Sequence, residues 1–291
     1  MLNLALAPAM DVTQECVRRR FRHATCRACA DVCPAQVFSF TDNGVLLEES
    51  RCIACGDCLF VCPTDAISGI APRKRFRMSD TLVGPFTARA PTINELLLWH
   101  AVYGVRFISL EAEQFPAWMA ALAGLNLVLR RRGEAAWGFR PWQKNALNAA
   151  RRALIHIPQE EVKAAAVPTG IRMQRRVFAG ISESAIALDA QKCVLCGACW
   201  RSCTEKAIRF EQNALVIEGA RCTGCGGCEA VCQHRAIEVT TKEAEAAITT
   251  YPAHAATCSL CQRSFWSFHP DQKQCALCLH HLHGMRNPDC C

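Results

Sequence analysis

Most of the landmarks by which a sequence announces enzymatic chemistry are missing from this chain. No G-x-G-x-x-G and no P-loop occur in its 291 residues, so no flavin, nicotinamide or nucleotide site is visible. No C-x2-C-H occurs either, which leaves covalent c-type haem without a signal. The longest apolar run, "FPAWMAALAGLNLVL" at 115–129, has 15 residues, short of the roughly 20 a spanning helix needs. It reads as a buried helix. A peripheral, membrane-facing helix followed by Arg130-Arg131-Arg132 is the alternative. The opening "MLNLALAPAMDV" has no charged leader segment, and "RRRF" at 18–21 runs into "RHATCRAC" instead of an apolar stretch. Export is therefore not expected, and the expected location is cytoplasmic. The stretch 72–180 lacks cysteine altogether.

Elsewhere cysteine dominates, with 22 in the chain. They fall in tight C-x2-C runs, and neighbours three apart in a loop converge on one metal more easily than they build a disulfide framework. Seven of them, Cys26, Cys29, Cys33, Cys52, Cys55, Cys58 and Cys62, recur 170 residues later as Cys196, Cys199, Cys203, Cys222, Cys225, Cys228 and Cys232. The connecting segments "PAQVFSFTDNGVLLEESR" and "TEKAIRFEQNALVIEGAR" match in length, and each reads as two short strands around an Asn-containing turn.

Each copy resembles the bacterial two-cluster ferredoxin, over about residues 12–70 and 182–240. In that family the first three cysteines of a C-x2-C-x2-C-x3-C-P motif hold one [4Fe-4S] cluster and the fourth crosses to the other. Carried onto this chain, the resemblance implies one cluster on Cys193, Cys196, Cys199 and Cys232, and a second on Cys222, Cys225, Cys228 and Cys203. A third falls on Cys52, Cys55, Cys58 and Cys33, and a fourth on Cys26, Cys29 and Cys62 with one ligand unassigned. Soft anionic thiolates suit iron held with sulfide, and Gly-containing loops such as "CIACGDC" let backbone amides turn toward the sulfurs. Zinc knuckles are the competing reading, but they use paired C-x2-C units. The second copy carries Thr204 and Gln233 where the proline of the motif belongs, which leaves ligation intact while altering the loop.

The unassigned ligand has two candidates. The 170-residue register places His23 opposite Cys193, and histidine does ligate iron in such clusters. Cys16 stands seven residues upstream, and a short helical stretch from about Asp11 would bring its thiol back to the site. The resulting C-x9-C-x2-C-x3-C-P spacing is similar to that of ferredoxin-like accessory proteins. A three-iron or empty site is the remaining alternative.

Near the C-terminus, Cys258, Cys261, Cys275 and Cys278 are spaced C-x2-C-x13-C-x2-C. Two knuckles on facing hairpin turns would form a four-thiolate structural zinc site of zinc-ribbon type, with rubredoxin-like iron as the alternative. The "CLHHLHGMRNPDCC" tail, with His280, His281, His283, Cys290 and Cys291, reads as a flexible tail in preference to a further metal site. The cysteine-free middle suggests a helix at 92–104, a strand at 105–111, a helix across 116–131 and another at 141–156. His100 and His156 lie on apolar helical patterns and read as packed, not catalytic. Basic groups at 73–77, 130–132, 151–152 and 172–176 read as solvated faces, one of them a docking surface for an acidic partner.

The formal charge of +7 counts every cysteine as neutral. A [4Fe-4S] cluster on four thiolates carries about −2 when oxidised, as does zinc on four thiolates, so four clusters and one zinc would bring the total to roughly −3. The basic composition is therefore no argument for nucleic-acid binding.

The expected fold class is α+β: two bacterial ferredoxin-like domains, at 1–71 and 181–245, flanking a small α/β or helical insert at 72–180, with a zinc-ribbon-like element and tail at 246–291. The expected function is electron transfer through four [4Fe-4S] clusters, stabilised by one structural zinc. The resemblance to polyferredoxins and to the accessory ferredoxins of nitrate reductase implies service to a larger oxidoreductase, such as a molybdenum enzyme, a hydrogenase or a heterodisulfide-reductase-type complex. No residue constellation suggests bond-making chemistry of the chain's own. The alternative is an assembly or maturation factor that binds an apo-enzyme.

Overall fold

A computed structural model describes residues 9–41, 44–141 and 161–281. The chain divides into two compact units. One comprises Met1–Cys16 and Arg27–Phe178, the other Val17–Cys26 and Ala179–Cys291.

In the first unit, Asp11–Val12 pairs antiparallel with Ile67–Ser68, and Phe38–Thr41 forms a hairpin with Gly44–Leu47. The helical stretch expected from about Asp11 is thus a strand. Val12 and Ile67 are both buried, and pairing satisfies their backbone while closing the cysteine-bearing segment on itself. Helix begins only at Val17, over Val17–Arg20, in the stretch that belongs to the second unit.

The cysteine-free segment builds a five-stranded sheet in the order Gly138–Phe139, Phe107–Ser109, Thr81–Val83, Arg75–Met78, Lys163–Ala165. The first three strands run parallel and the last two pair antiparallel. The helices expected at 92–104 and 116–131 are present as Ile93–Tyr103 and Pro116–Arg131. Thr92 caps the first by accepting from the Glu95 amide at 3.2 Å, and Gly104 ends it in the left-handed conformation at φ 65°. Pro116 opens the second at a position where its missing N–H costs nothing. The strand expected at 105–111 shortens to Phe107–Ser109. The helix expected at 141–156, with His156 and the basic pair at 151–152, falls almost wholly outside the described residues, as do the tail residues His283, Cys290 and Cys291.

One apolar core runs through this unit. It joins Val12, Val37, Phe38 and Phe60 of the cysteine-bearing part to Leu96, Trp99, Trp118 and Leu125 of the cysteine-free part. Two of the basic groups are not solvated faces. Arg75 is 10% exposed and donates through Nε and Nη2 to Glu95 at 2.5 and 3.0 Å, while Glu95 also accepts from Trp99 Nε1 at 3.3 Å. Arg175 is likewise buried. His100 is packed as expected. Its Nδ1 accepts from Trp137 Nε1 at 3.0 Å, which leaves the proton on Nε2, facing Glu134 at 3.4 Å. Burial first, then the nearby Arg106 charge, lowers its pKa from 6.5 against the opposing pull of Glu134.

In the second unit, Ile181–Leu188 pairs antiparallel with Ile237–Glu245, with a bulge between Ser182 and Ser184. Ile208–Glu211, Ala214–Glu218 and Ile248–Pro252 form a three-stranded antiparallel sheet. A further hairpin, His254–Thr257 with Ser264–Ser267, precedes the helix Ala276–His281. Phe210 stacks on Trp200 and meets Trp266 edge-on, each at 5.3 Å between centroids. That contact ties the last hairpin to the core of Leu195, Ile208, Leu215 and Ile237. Among the described residues, no helix is long and apolar enough to cross a membrane.

Two outcomes follow from the first unit's core. Glu95→Ala strands Arg75 in the interior and lowers stability by about 3–5 kcal/mol, read as a drop in the urea midpoint by tryptophan fluorescence. Because His100 titrates below 6.5 when folded, the unfolded chain takes up the proton first as pH falls. Stability is therefore full above that value and is lost on going below it, down to the folded pKa. His100→Gln flattens this part of the pH–stability curve.

Candidate metal centres

The fourth cysteine of each motif is held by one repeated device. Cys33, Cys62, Cys203 and Cys232 accept, at Sγ, the backbone N–H of the residue four positions on: Val37 at 3.5 Å, Ala66 at 3.2 Å, Ala207 at 3.3 Å and Ala236 at 3.2 Å. In every case the residue just before that donor, Gln36, Asp65, Lys206 or Arg235, is left-handed, with φ between 48° and 54°. The left-handed step turns the next amide back onto the sulfur. None of the four is glycine, so side-chain-bearing residues accept strain of the order of 1–2 kcal/mol each to make this bond. A second device opens three of the loops. Ala54, Leu195 and Gly224 are left-handed two residues after Cys52, Cys193 and Cys222, and Gly56, Gly197 and Gly226 are left-handed two further on. Ala54 and Gly224 donate their amides to Cys52 and Cys222 Sγ, each at 3.4 Å.

These loops bring cysteines of distant sequence together. Cys193, Cys196, Cys199 and Cys232 line one cavity with Trp200 and Ile237. Cys33, Cys52, Cys55 and Cys58 line another with Val37, Phe38 and Ile70. Cys203 lies near enough to Cys222, Cys225 and Cys228 to raise the pKa of all three. Burial is the largest cause of each shift. It pushes Cys58 and Cys199 up to about 12 and Cys222 up to about 11, with the neighbouring sulfurs adding to the effect. Thiols so placed ionise near neutrality only beside positive charge. An iron–sulfur core supplies that charge to soft donors, so each of these three groups fits a [4Fe-4S] cluster.

The remaining set is placed differently. Cys16, Cys29 and Cys62 pack on the core of the first unit, whereas Cys26 and His23 go with the stretch assigned to the second. His23 is exposed. The residues that correspond to the left-handed pair of the other loops are Thr25, which has no positive φ, and Arg27, with φ −129°. The strand register adds a distinction that cysteine spacing conceals. The two hairpins superpose at an offset of 170, with Phe38 opposite Leu47 and Ile208 opposite Ile217. At the terminal ladder Val12 faces Ile67 while Leu188 faces Ile237, so the N-terminal strands are offset by 176. After those strands the backbone repeats itself: Thr13 N–H donates to Ala66 O at 2.7 Å, as Asp189 N–H does to Ala236 O at 2.8 Å. The turn that follows delivers Cys16, whose amide donates to Thr13 O, and Cys193, whose amide donates to Asp189 O, each at 3.1 Å. At the offset of 176 Cys16 falls opposite Lys192, whose amide also donates to Asp189 O, at 3.2 Å. Cys16 thus lies one residue short of the place of Cys193 but in the same turn, and His23 follows seven residues later.

Side chains of the cysteine-free segment fasten the loop at 52–66. Arg89 donates to buried Asp57 through Nε at 2.8 Å and Nη2 at 2.5 Å. Asn94 Nδ2 donates to Phe60 O at 3.0 Å, and Arg172 Nη1 to Thr64 O at 3.0 Å. Sequence reasoning missed all three, because nothing in the chain's spacing joins positions 89, 94 and 172 to a cysteine loop.

The C-terminal thiols converge on a smaller centre. The sulfurs of Cys258, Cys261, Cys275 and Cys278 all lie within 4.8 Å of one another. Cys261 and Cys275 Sγ are 3.8 Å apart, which is about the edge of a tetrahedron with metal–sulfur bonds of about 2.3 Å. The first knuckle is the turn of a hairpin, as expected. The second opens the helix Ala276–His281 instead of a facing hairpin turn. Backbone N–H groups of Cys261 and Cys275 pull the Cys258 thiol down, whereas burial and the neighbouring sulfurs push the Cys278 thiol up, as befits four thiols sharing one small site. The group can therefore bind a single metal ion.

Comparison with known proteins accords with this geometry. A 4Fe-4S dicluster domain family matches residues 24–66 and another matches 185–249. Hydrogenase-4 component A of Escherichia coli is 30% identical over 116 residues, covering 38% of this chain and 54% of that protein. Ferredoxin-1 of Caulobacter vibrioides is 39% identical over 56 residues, 19% of this chain and 45% of its own length. A ferredoxin of Methanothermococcus thermolithotrophicus is 43% identical over 44 residues, 15% of this chain but 73% of its own. The chain thus spans about half the length of the first two.

The left-handed loop positions make a direct forecast. At Gly226 (φ +71°) an added Cβ would meet only Glu229 Oε2, at 3.4 Å, so the cost of Gly226→Val is conformational. It is expected to destabilise the second unit by about 1–2 kcal/mol, read as a lower denaturation midpoint.

Proposed function

The chain belongs to the ferredoxins of the 4Fe-4S dicluster type, and from that membership we propose that it relays single electrons through four [4Fe-4S] clusters to or from a larger oxidoreductase. The observation that carries the reading is the amide-to-sulfur device repeated at Cys33, Cys62, Cys203 and Cys232. Four equivalent loops in two paired motifs call for two clusters per copy. A [4Fe-4S] cluster supplies a one-electron couple when bound.

The proposed ligand sets are Cys193, Cys196, Cys199 and Cys232; Cys222, Cys225, Cys228 and Cys203; Cys52, Cys55, Cys58 and Cys33; and Cys16, Cys26, Cys29 and Cys62. Cys16 is preferred to His23 because it occupies the turn after the terminal strand that Cys193 occupies in the second copy. Backbone amides aimed at the sulfurs stabilise the thiolate form and raise the ease of adding an electron. Apolar walls such as Val37, Phe38 and Ile237 keep water from the sulfurs.

The centre at Cys258, Cys261, Cys275 and Cys278 is proposed to hold zinc in a structural role. All four positions are thiolates, and a tetrahedral site closed by protein leaves no open coordination position. The similarity to hydrogenase-4 component A supports a partner of oxidoreductase type, reached from a cytoplasmic location.

Comparing Cys16→Ser with His23→Ala tests the ligand assignment. Cys16→Ser is expected to lose one cluster, about four irons, with a matching loss of reduced-state EPR intensity, while His23→Ala retains all four clusters. Loss of a cluster in the histidine variant alone would overturn the assignment.

A further inference from the structure

We propose that Asp57 and Arg89 are a pair of positioning residues that sets the reduction potential of the cluster on Cys33, Cys52, Cys55 and Cys58 apart from the other three. The inference rests on the cluster reading above. The residue preceding the third cysteine of each motif is Ala28, Asp57, Ala198 or Gly227. Only one loop of the four carries an ionisable group there. Its carboxylate is 4% exposed and stands between Cys55 and Cys58 in the ligand loop.

A carboxylate buried next to a negatively charged cluster is unfavourable by itself, since both lose solvation and repel. Arg89 removes the conflict with a forked contact, 2.8 Å from Nε and 2.5 Å from Nη2, both to Oδ2. The guanidinium is delivered by a braced piece of chain. Trp118, itself buried, donates from Nε1 to Thr87 O at 2.8 Å, and Thr87 Oγ1 donates to Arg89 O at 2.9 Å. The cysteine-free segment thus places one positive charge against one negative charge inside a ligand loop. In the second copy the corresponding position is Gly227, which has no side chain to pair, and its open side is occupied by the ring of Phe21.

Reduction adds one electron, and so one negative charge, to the cluster. Asp57 opposes that addition and Arg89 favours it; the field of Asp57, 4% exposed, is little screened, and that of Arg89, 41% exposed, is screened more. Removing either charge therefore moves the potential, and in opposite senses. A purely structural clamp predicts something else: both removals would loosen the loop and shift stability or iron content in the same direction.

The test is an anaerobic redox titration of the full-length, cluster-loaded protein with dithionite as reductant, followed by EPR, in Asp57→Asn, Arg89→Gln and the double variant. Total iron is measured on the same samples. Asp57→Asn is expected to raise one midpoint and Arg89→Gln to lower one. Each shift should reach about a tenfold change in the reduced-to-oxidised ratio at fixed potential, equivalent to about 59 mV for one electron. The double variant should return near the parent, with the other midpoints unmoved throughout. Arg89→Lys, which keeps the charge, guards against a loop that fails to load and should stay close to the parent. Midpoints that stay put, or move the same way in both single variants, with iron retained, would overturn the proposal. A parent protein whose iron falls well short of four clusters would instead sink the cluster reading on which it rests.

Discussion

The interaction on which the rest depends is the backbone N–H donated to a cysteine sulfur. A site that crowds four sulfurs together and buries one of them is hostile to negative charge, as the upward shifts at the buried Cys58, Cys199 and Cys222 display. Amides turned inward are the protein's own contribution to making such a site acceptable to thiolates. To aim them, Gln36, Asp65, Lys206 and Arg235 adopt left-handed backbone that side-chain-bearing residues avoid. The terminal ladders at Val12–Ile67 and Leu188–Ile237, together with the two hairpins, hold those loops against recoil. Local strain at the loops is thereby carried by regular pairing around them.

The same constraint explains how the two copies differ. The second copy is anchored by an aromatic contact from its C-terminal hairpin, Trp200 to Phe210 to Trp266. The first is anchored by polar side chains from the cysteine-free segment, with Arg89, Asn94 and Arg172 reaching the loop at 52–66. The segment without cysteine is in this sense part of the first unit's metal-binding architecture, since its helices and the cysteine loops share one core. Two ferredoxin motifs of nearly identical spacing thus sit in unlike surroundings. Unlike surroundings are the means by which a protein gives chemically identical clusters different potentials.

Much of this was legible in the sequence, and the parts that were not have definite causes. Ligand cysteines recur at fixed spacing because each loop has fixed chemistry, so an offset of 170 was readable without coordinates. The helices at Ile93–Tyr103 and Pro116–Arg131 were readable from apolar periodicity and from Thr92 and Pro116 at their starts. The strained turns were hidden because Gln, Asp, Lys and Arg carry no mark of left-handed backbone. Arg75 looked like a solvated charge, since its partner Glu95 is twenty residues away and meets it only through tertiary packing. The cysteine register placed His23 opposite Cys193, whereas strand pairing moves the comparison by six residues, to an offset of 176, and brings Cys16 into the same turn as Cys193, one residue short of it. An insertion between two ligands is invisible to spacing when a metal-binding residue happens to fall at the expected position.

The central claim is that two dicluster motifs hold four iron–sulfur clusters while the four C-terminal thiols hold a single zinc. Elemental analysis of anaerobically purified protein, with acid-labile sulfide measured on the same sample, tests it most directly. The account predicts about 16 irons, about 16 sulfides and about one zinc per chain. Iron near eight per chain would contradict it, since only one of the two motifs would then be a working pair of cluster sites.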